Sequence, residues 1–180
     1  MQKYNFKILL HDIRSVQNVA SIFRLADCIG ASEIILSGIT PGPIDRFSRT
    51  REDFAKISLN SENNIKWSRV GQEIQSEIYA RSTNAENLKA VIDFINNFRN
   101  INKDNIVIAL EQESNSVDYK KIEVDENKNY LIVLGREVEG IDKSILNVCD
   151  LIAEIPQYGS KESLNIFSAA SIALYRWFDF

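Results

Sequence analysis

Few residues in this chain can carry chemistry. A Ser-His-Asp triad would have to use His11, the single histidine, as its base, and no G-x-S-x-G turn exists to display a nucleophile. Cys28 and Cys149 stand alone without metal-ligand spacing, so no metal is expected and both thiols read as small core residues. The glycines at 30, 38, 42, 71, 135, 140 and 159 spell neither G-x-G-x-x-G nor G-x-x-x-x-G-K-[ST], which removes dinucleotide and P-loop sites. Two stretches remain. In IPQYGSKESLNIFSAASIALY (155–175), a polar loop broken by Pro156 and Gly159 runs into an apolar helix. There Ser163 and Asn165 bracket Leu164, among backbone N–H groups left free at the helix start. In GREVEG (135–140), two glycines permit close backbone approach to a ligand and hold Glu137 between them. Each stretch also has a bland reading, with Ser163 capping the helix helped by Asn165, and Glu137 a solvated loop carboxylate.

The elements that would position these residues alternate between strand and helix. An apolar run over 6–10 has strand length and ends at His11, Asp12 and Arg14. Asn18 reads as the N-cap of a helix with an apolar stripe of Val19, Ile22, Phe23, Ala26 and Ile29, closed by Gly30. Gln17, Ser21, Arg24 and Asp27 lie on its other side. A strand over 33–36 completes a βαβ unit, followed by a loop with Pro41, Gly42, Pro43 and the arginines Arg46, Arg49 and Arg51. Those arginines suit phosphate contact or a solvated loop balanced by Asp45, Glu52 and Asp53. Residues 56–83 are ambiguous. A helix after Asn84, a strand over 106–110, a polar connection over 114–129, a strand over 130–134, a short helix over 141–147 and a strand over 151–155 complete the series. This predicts an α/β domain with a mainly parallel sheet and ligands at the carboxyl ends of strands, at loops 11–18, 135–140 and 156–163.

One domain over 1–180 can bury roughly 70 % of its unfolded surface without disulfides. No segment is long and apolar enough to span a membrane, and no small-residue cleavage site follows the first apolar run, so the expectation is cytoplasmic. The net charge of −4 disfavours a polyanion partner, yet residues 1–60 hold eight Lys and Arg against six Asp and Glu. One end of the molecule is therefore able to face nucleic acid.

Three segments, IRSVQNVASIFRLADCIGASEIILSG, LIVLGREVEGI and IPQYGSKESLNIFSAASIALY, resemble in order and spacing the motifs of the SpoU-type (TrmH-like) RNA 2′-O-ribose methyltransferases of the SPOUT superfamily. Asn18 and Arg24 match the polar residues of the first motif, Glu137 that of the second, and Ser163 with Asn165 those of the third. Ala20, Leu25 and Arg136 depart from the pattern, where glycine, threonine and asparagine are usual.

The resemblance implies an α/β sheet with helices on both faces and a C-terminal deep trefoil knot. It implies S-adenosylmethionine held in the knot by Leu134, Gly135, Gly140, Ile155, Ser163 and Leu164, with no metal. It implies methyl transfer to a ribose 2′-OH of RNA, with Arg24 aiding the hydroxyl and Asn18, Glu137, Ser163 and Asn165 positioning the parts. The expected RNA is tRNA, since the chain looks like a lone catalytic domain without a separate RNA-binding domain; ribosomal RNA, or a noncatalytic RNA- or cofactor-binding module, are the alternatives. Arg14, Arg46, Arg49 and Arg51 are the expected RNA contacts. A homodimer is expected through the last helix, on the small residues 168–171 and on Ile172, Trp177 and Phe178.

Overall fold

A computed structural model describes residues 3–45, 47–71 and 80–178, without the side chains of 80–84. Arg46, one of the expected RNA contacts, lies outside the described residues, as does much of the ambiguous stretch 56–83.

Seven parallel strands form one sheet. They are β1 (Asn5–His11), β2 (Glu33–Ser37), β3 (Trp67–Val70), β4 (Asn105–Leu110), β5 (Val117–Asp118), β6 (Asn129–Leu134) and β7 (Leu151–Glu154), in the spatial order β3-β2-β1-β6-β4-β7-β5. Side chains alternate between the two faces, as the two-residue period of a strand requires. Phe6, Ile8, Leu10, Ile34, Leu36, Ile132 and Leu134 enter one core, while Leu9, Ile35, Leu131 and Val133 enter the other. Both faces are therefore covered, which is why the central strands read as continuous apolar runs.

Six α-helices are described: α1 (Val16–Cys28), α2 (Glu52–Ser58), α3 (Ser61–Asn64), α4 (Ala80–Ile101), α5 (Lys143–Leu146) and α6 (Ile166–Phe178). The first core takes α1 and α6; the second takes α4 and α5. The expected connection 114–129 holds a two-residue strand and a 3-10 turn over Tyr119–Lys121, and α4 begins four residues before Asn84.

Several expectations need correction. The N-cap of α1 is Ser15, whose Oγ accepts the Asn18 N–H at 3.2 Å, so Asn18 sits in the first turn with its amide turned elsewhere. Asn165, not Ser163, caps α6: its Oδ1 accepts the N–H groups of Phe167 and Ser168 at 2.9 and 3.4 Å. Ser163 lies two residues too early and is exposed. Trp177 and Phe178 belong to this chain's own core. Phe178 stacks on Phe6 with centroids 4.0 Å apart, and Trp177 Nε1 donates to the Tyr119 carbonyl at 2.9 Å. Cys28 is exposed because it falls on the outer side of α1.

Candidate active site

The sheet's strand order changes direction between β1 and β6. From β1 the chain builds outward through β2 and β3, then returns to place β4, β6 and β7 on the other side. Such a switch point opens a crevice at the carboxyl ends of the strands. The loop after β1 and the loop after β6 meet there.

Glu137 ties them together. Its carboxylate accepts the N–H groups of Arg14 and Ser15 at 3.3 and 3.2 Å, and the Asn18 Nδ2 amide at 3.3 Å. Asn18 Oδ1 then accepts from Asn165 Nδ2 at 3.0 Å. A hydrogen-bonded chain thus runs from the loop after β6, through the first turn of α1, to the cap of α6. Asn165 can serve two partners because its oxygen faces the helix and its nitrogen faces Asn18. Residues 147 apart in sequence meet at this one amide pair.

Beside the chain lies a cleft of about 190 Å³, lined from the ends of β4, β6 and β7 and the start of α6. At that size it admits a small molecule but no nucleic-acid strand. Its walls include Leu134, Gly135, Gly140, Ile155, Ser163 and Leu164, all six residues expected to hold a cofactor. Gly135 is required by close approach: a Cβ there would stand 2.5 Å from the Ile141 side chain and 2.9 Å from its backbone. Gly140 has φ 72°, and a Cβ on it would run into the Glu111 carboxylate. Glu111 is engaged on both oxygens, accepting the N–H groups of Ile141 at 2.8 Å and Gln112 at 2.9 Å. The carbonyl of Ile155 accepts from Gln157 Nε2 at 2.8 Å.

The cleft is acidic. Glu111, Glu137, Glu139 and Glu154 line it, against one basic side chain, Arg136, which is already bound to Asp12 at 2.8 Å. That set of negative acceptors suits a cationic small molecule and repels a phosphate.

The end of β4, with Glu111 and Gln112, was not among the three expected loops. Its signal is a polar pair directly after an apolar strand, the same pattern as at His11 and Asp12. Of the remaining expected residues, Arg24 is exposed, lies outside the cleft lining and forms no ion pair among the described residues. Asp27, three residues on along the same side of α1, accepts from Asn64 at 3.0 Å. Arg14 is exposed at the mouth of the β1 loop. Arg49 is held by Asp45 through two nitrogens, at 3.0 and 2.8 Å, and Arg51 pairs with Asp53 at 3.6 Å, so both guanidiniums already have a carboxylate partner.

The described residues thus form a parallel α/β domain with an acidic small-molecule cleft at the carboxyl ends of β4, β6 and β7. Residues 5–175 match the family model of the SpoU rRNA Methylase family, and the chain belongs to that family. A Staphylococcus aureus protein, placed by its description in the TrmH family of tRNA/rRNA methyltransferases, is 27 % identical over 172 residues. That alignment covers 95 % of this chain and 57 % of the relative, so the chain spans little more than half of its relative's length. The AdoMet-bound rRNA methyltransferase of Sinorhizobium meliloti superposes with TM-score 0.73 at 28 % identity, over 96 % of this chain and 55 % of that one. The A. aeolicus TrmH/SpoU tRNA-modifying enzyme shares the fold with TM-score 0.72 at 20 % identity, over 97 % and 75 % of the two chains.

Proposed function

We propose that the protein transfers the methyl group of S-adenosylmethionine to a ribose 2′-hydroxyl of RNA, with tRNA as the substrate. The observation that carries this reading is the chain Glu137, Asn18, Asn165, drawn across three loops at the edge of an acidic cleft. The cofactor carries a sulfonium and an ammonium against one carboxylate, and no phosphate, so its net positive charge matches the four glutamates and the lack of phosphate matches the missing glycine-rich loop. Leu134, Gly135, Gly140, Ile155, Ser163 and Leu164 would hold it, and it would supply an electrophilic methyl carbon.

A hydroxyl is a weak nucleophile, so the protein must place it in line and stabilise the negative charge that develops on its oxygen. Arg24 is suited to the second task. A guanidinium is a permanent cation, which suits Arg24 to stabilising charge rather than to acting as a base. Its position outside the cleft of its own chain is explained by a homodimer, in which α1 of one copy faces the cleft of the other. Ile172 and Tyr175, 39 % and 48 % exposed on α6, supply the apolar part of that contact. The run from β7 through 155–165 to α6, which packs against α1 on the far side of β6, supports a trefoil knot at the C-terminal end. Arg14 and the 41–51 loop would take the RNA, in the cytoplasm. Ribosomal RNA is the second reading, favoured by the family's own description.

The test supplies methyl-labelled cofactor with unmodified tRNA in one arm and ribosomal RNA in the other, and reads nucleosides by mass spectrometry. Label on a 2′-O-methyl nucleoside from tRNA is the expected result. Label on a base, or no transfer to either RNA, refutes the assignment, while label from ribosomal RNA alone moves the substrate. Arg24→Ala should lower single-turnover transfer by ~10²-fold or more with cofactor affinity unchanged. Equal rates would return Arg24 to a solvated surface side chain.

A further inference from the structure

The loops after β1 and β6 are joined a second time, by a charge pair that the hydrogen-bonded chain does not include. Arg136 donates from Nε and from a terminal nitrogen to one oxygen of Asp12, at 3.2 and 2.8 Å. The Asp12 side chain is 5 % exposed and that of Arg136 26 %, so the pair is largely out of water. The other Asp12 oxygen accepts the Ile39 N–H at 3.1 Å. Asp12 has φ 57°, a left-handed turn at which β1 ends and the chain bends toward Arg14 and Ser15. Across from it Gly38 leaves room for the carboxylate, since a Cβ there would collide with it.

Behind Asp12 stands His11, 1 % exposed. Its Nδ1 lies 3.3 Å from Ser37 Oγ, while Nε2, buried and without a hydrogen-bond partner, is 3.5 Å from Asp12 Oδ2. The carboxylate is thus held between a permanent cation and an imidazole that can become one. Two connections cross between the same two loops: residue 136 reaches back to residue 12, and the N–H groups of residues 14 and 15 reach forward to residue 137. Arg136 also lines the cleft.

We propose that Asp12 and Arg136 are a positioning pair that holds the 135–140 loop in its ligand-binding conformation. The inference rests on the cofactor assignment above. A charge pair this far from solvent is directional, and losing one member leaves the other uncompensated. The groups facing His11 divide by sign. Burial holds its pKa below the ordinary value, opposed by the Asp12 charge; Arg136 lowers it further, and Asp142, engaged with Ser144 at the start of α5, raises it. Removing Arg136 leaves both carboxylates and should let His11 take up a proton at higher pH. Removing the Asp12 charge should do the reverse. Loosening of the loop alone would admit water and raise the His11 pKa in both cases.

The experiment uses the tag-free chain, in which His11 is the single histidine and its imidazole resonances are unambiguous. Arg136→Gln, Asp12→Asn and the double variant are compared by NMR titration of His11 and by calorimetry with S-adenosylhomocysteine at pH 8. The expected result is a higher His11 midpoint in Arg136→Gln, a lower one in Asp12→Asn, and about tenfold weaker binding in each, within the usual range of coupling between sites. The double variant should bind no more weakly than the worse single one, because the two side chains act as one unit. Arg136→Lys should recover part of the affinity. Wild-type affinity in both single variants, or movement of the His11 midpoint in the same direction in both, overturns the proposal. Should Arg136→Gln fail to fold with Asp12 left unpaired, the double variant decides, and wild-type affinity there overturns it equally. Wild type that binds no S-adenosylhomocysteine removes the cofactor assignment, and the positioning role with it.

Discussion

Adding one methyl group at Gly140 tests the geometry of the cleft directly. Gly140→Ala meets two separate costs. Its φ of 72° places an L-residue in the left-handed region, at roughly 1–2 kcal/mol. The new Cβ also occupies the position of the Glu111 carboxylate, with Cδ only 2.9 Å away, so Glu111 must swing off and release the Ile141 N–H it holds at 2.8 Å. A hydrogen bond to a charged acceptor is worth about 1.5–3 kcal/mol, less here because the cleft is open to water and can resupply a partner. Together the costs come to about 3 kcal/mol, which lowers Tm by roughly 6–12 °C for a chain of this size. Gly159 is the control. No atom lies within 4 Å of its ideal Cβ and its φ is not in the left-handed range. Gly159→Ala should leave stability unchanged or raise it by up to about 1 kcal/mol through the unfolded chain.

Urea titrations of wild type and both variants, with slopes compared, give the free energies. Adding Glu111→Ala to Gly140→Ala separates the two costs, since with the carboxylate gone only the backbone term of roughly 1–2 kcal/mol should remain. Equal stability of Gly140→Ala and Gly159→Ala would refute the contact between the 135–140 loop and the end of β4. Full additivity of the Glu111 and Gly140 changes would refute the collision while leaving the backbone cost standing.

Three further outcomes follow from particular contacts. Burial pushes Glu33 upward, but hydrogen bonds from Lys7 and Ser68 and the charges of Lys7 and Lys66 prevail and set it below its ordinary 4.5. A depressed carboxylate stabilises the fold above its unfolded value, so Lys7→Met should cost up to about 1 kcal/mol at pH 7 and progressively less as the pH falls below 4.5, read by urea titration at each pH. Burial, with the Asp150 charge, pushes the Cys149 thiol up to about 12, whereas Cys28 is exposed; iodoacetamide followed by mass spectrometry should label Cys28 in the native protein and Cys149 only on unfolding. Asn165→Ala should cost about 1 kcal/mol by loss of the α6 cap, and Asn165→Ser, which keeps a capping oxygen, should recover most of that stability but not the bond to Asn18; thermal unfolding distinguishes the two.

The fold was legible because strand burial leaves a direct mark. LIVL over 131–134 and ILL over 8–10 are apolar at every position, since the sheet is covered on both faces, and each run stops where a polar loop begins. The caps were placed less well. Asn18 and Asn165 both look like caps by residue type, but only Asn165 is one: the helix of Asn18 starts earlier, at Ser15, and the Asn18 amide is engaged by Glu137 and Asn165, 119 and 147 residues away. Local propensity sees the side chain and not its distant partner. Trp177 and Phe178 were assigned to an interface for the same reason. An apolar residue at the end of a helix carries no label for whose core it fills, and here Phe6 settles the matter by stacking on Phe178.

Arg136 shows how a departure from a motif is interpreted once its surroundings are visible. In the sequence it adds a charge beside a glycine loop, with consequences for substrate or cofactor equally open. In the fold its guanidinium is turned from the cleft's four glutamates toward Asp12, 124 residues earlier, at the turn that ends β1. The cleft therefore keeps its acidic character despite the arginine in its wall. The cost of an arginine there is set by Asp12, because a buried carboxylate without it would stand beside a neutral imidazole and one backbone N–H. Neither residue is intelligible alone, because each is the other's charge partner in a place largely closed to water.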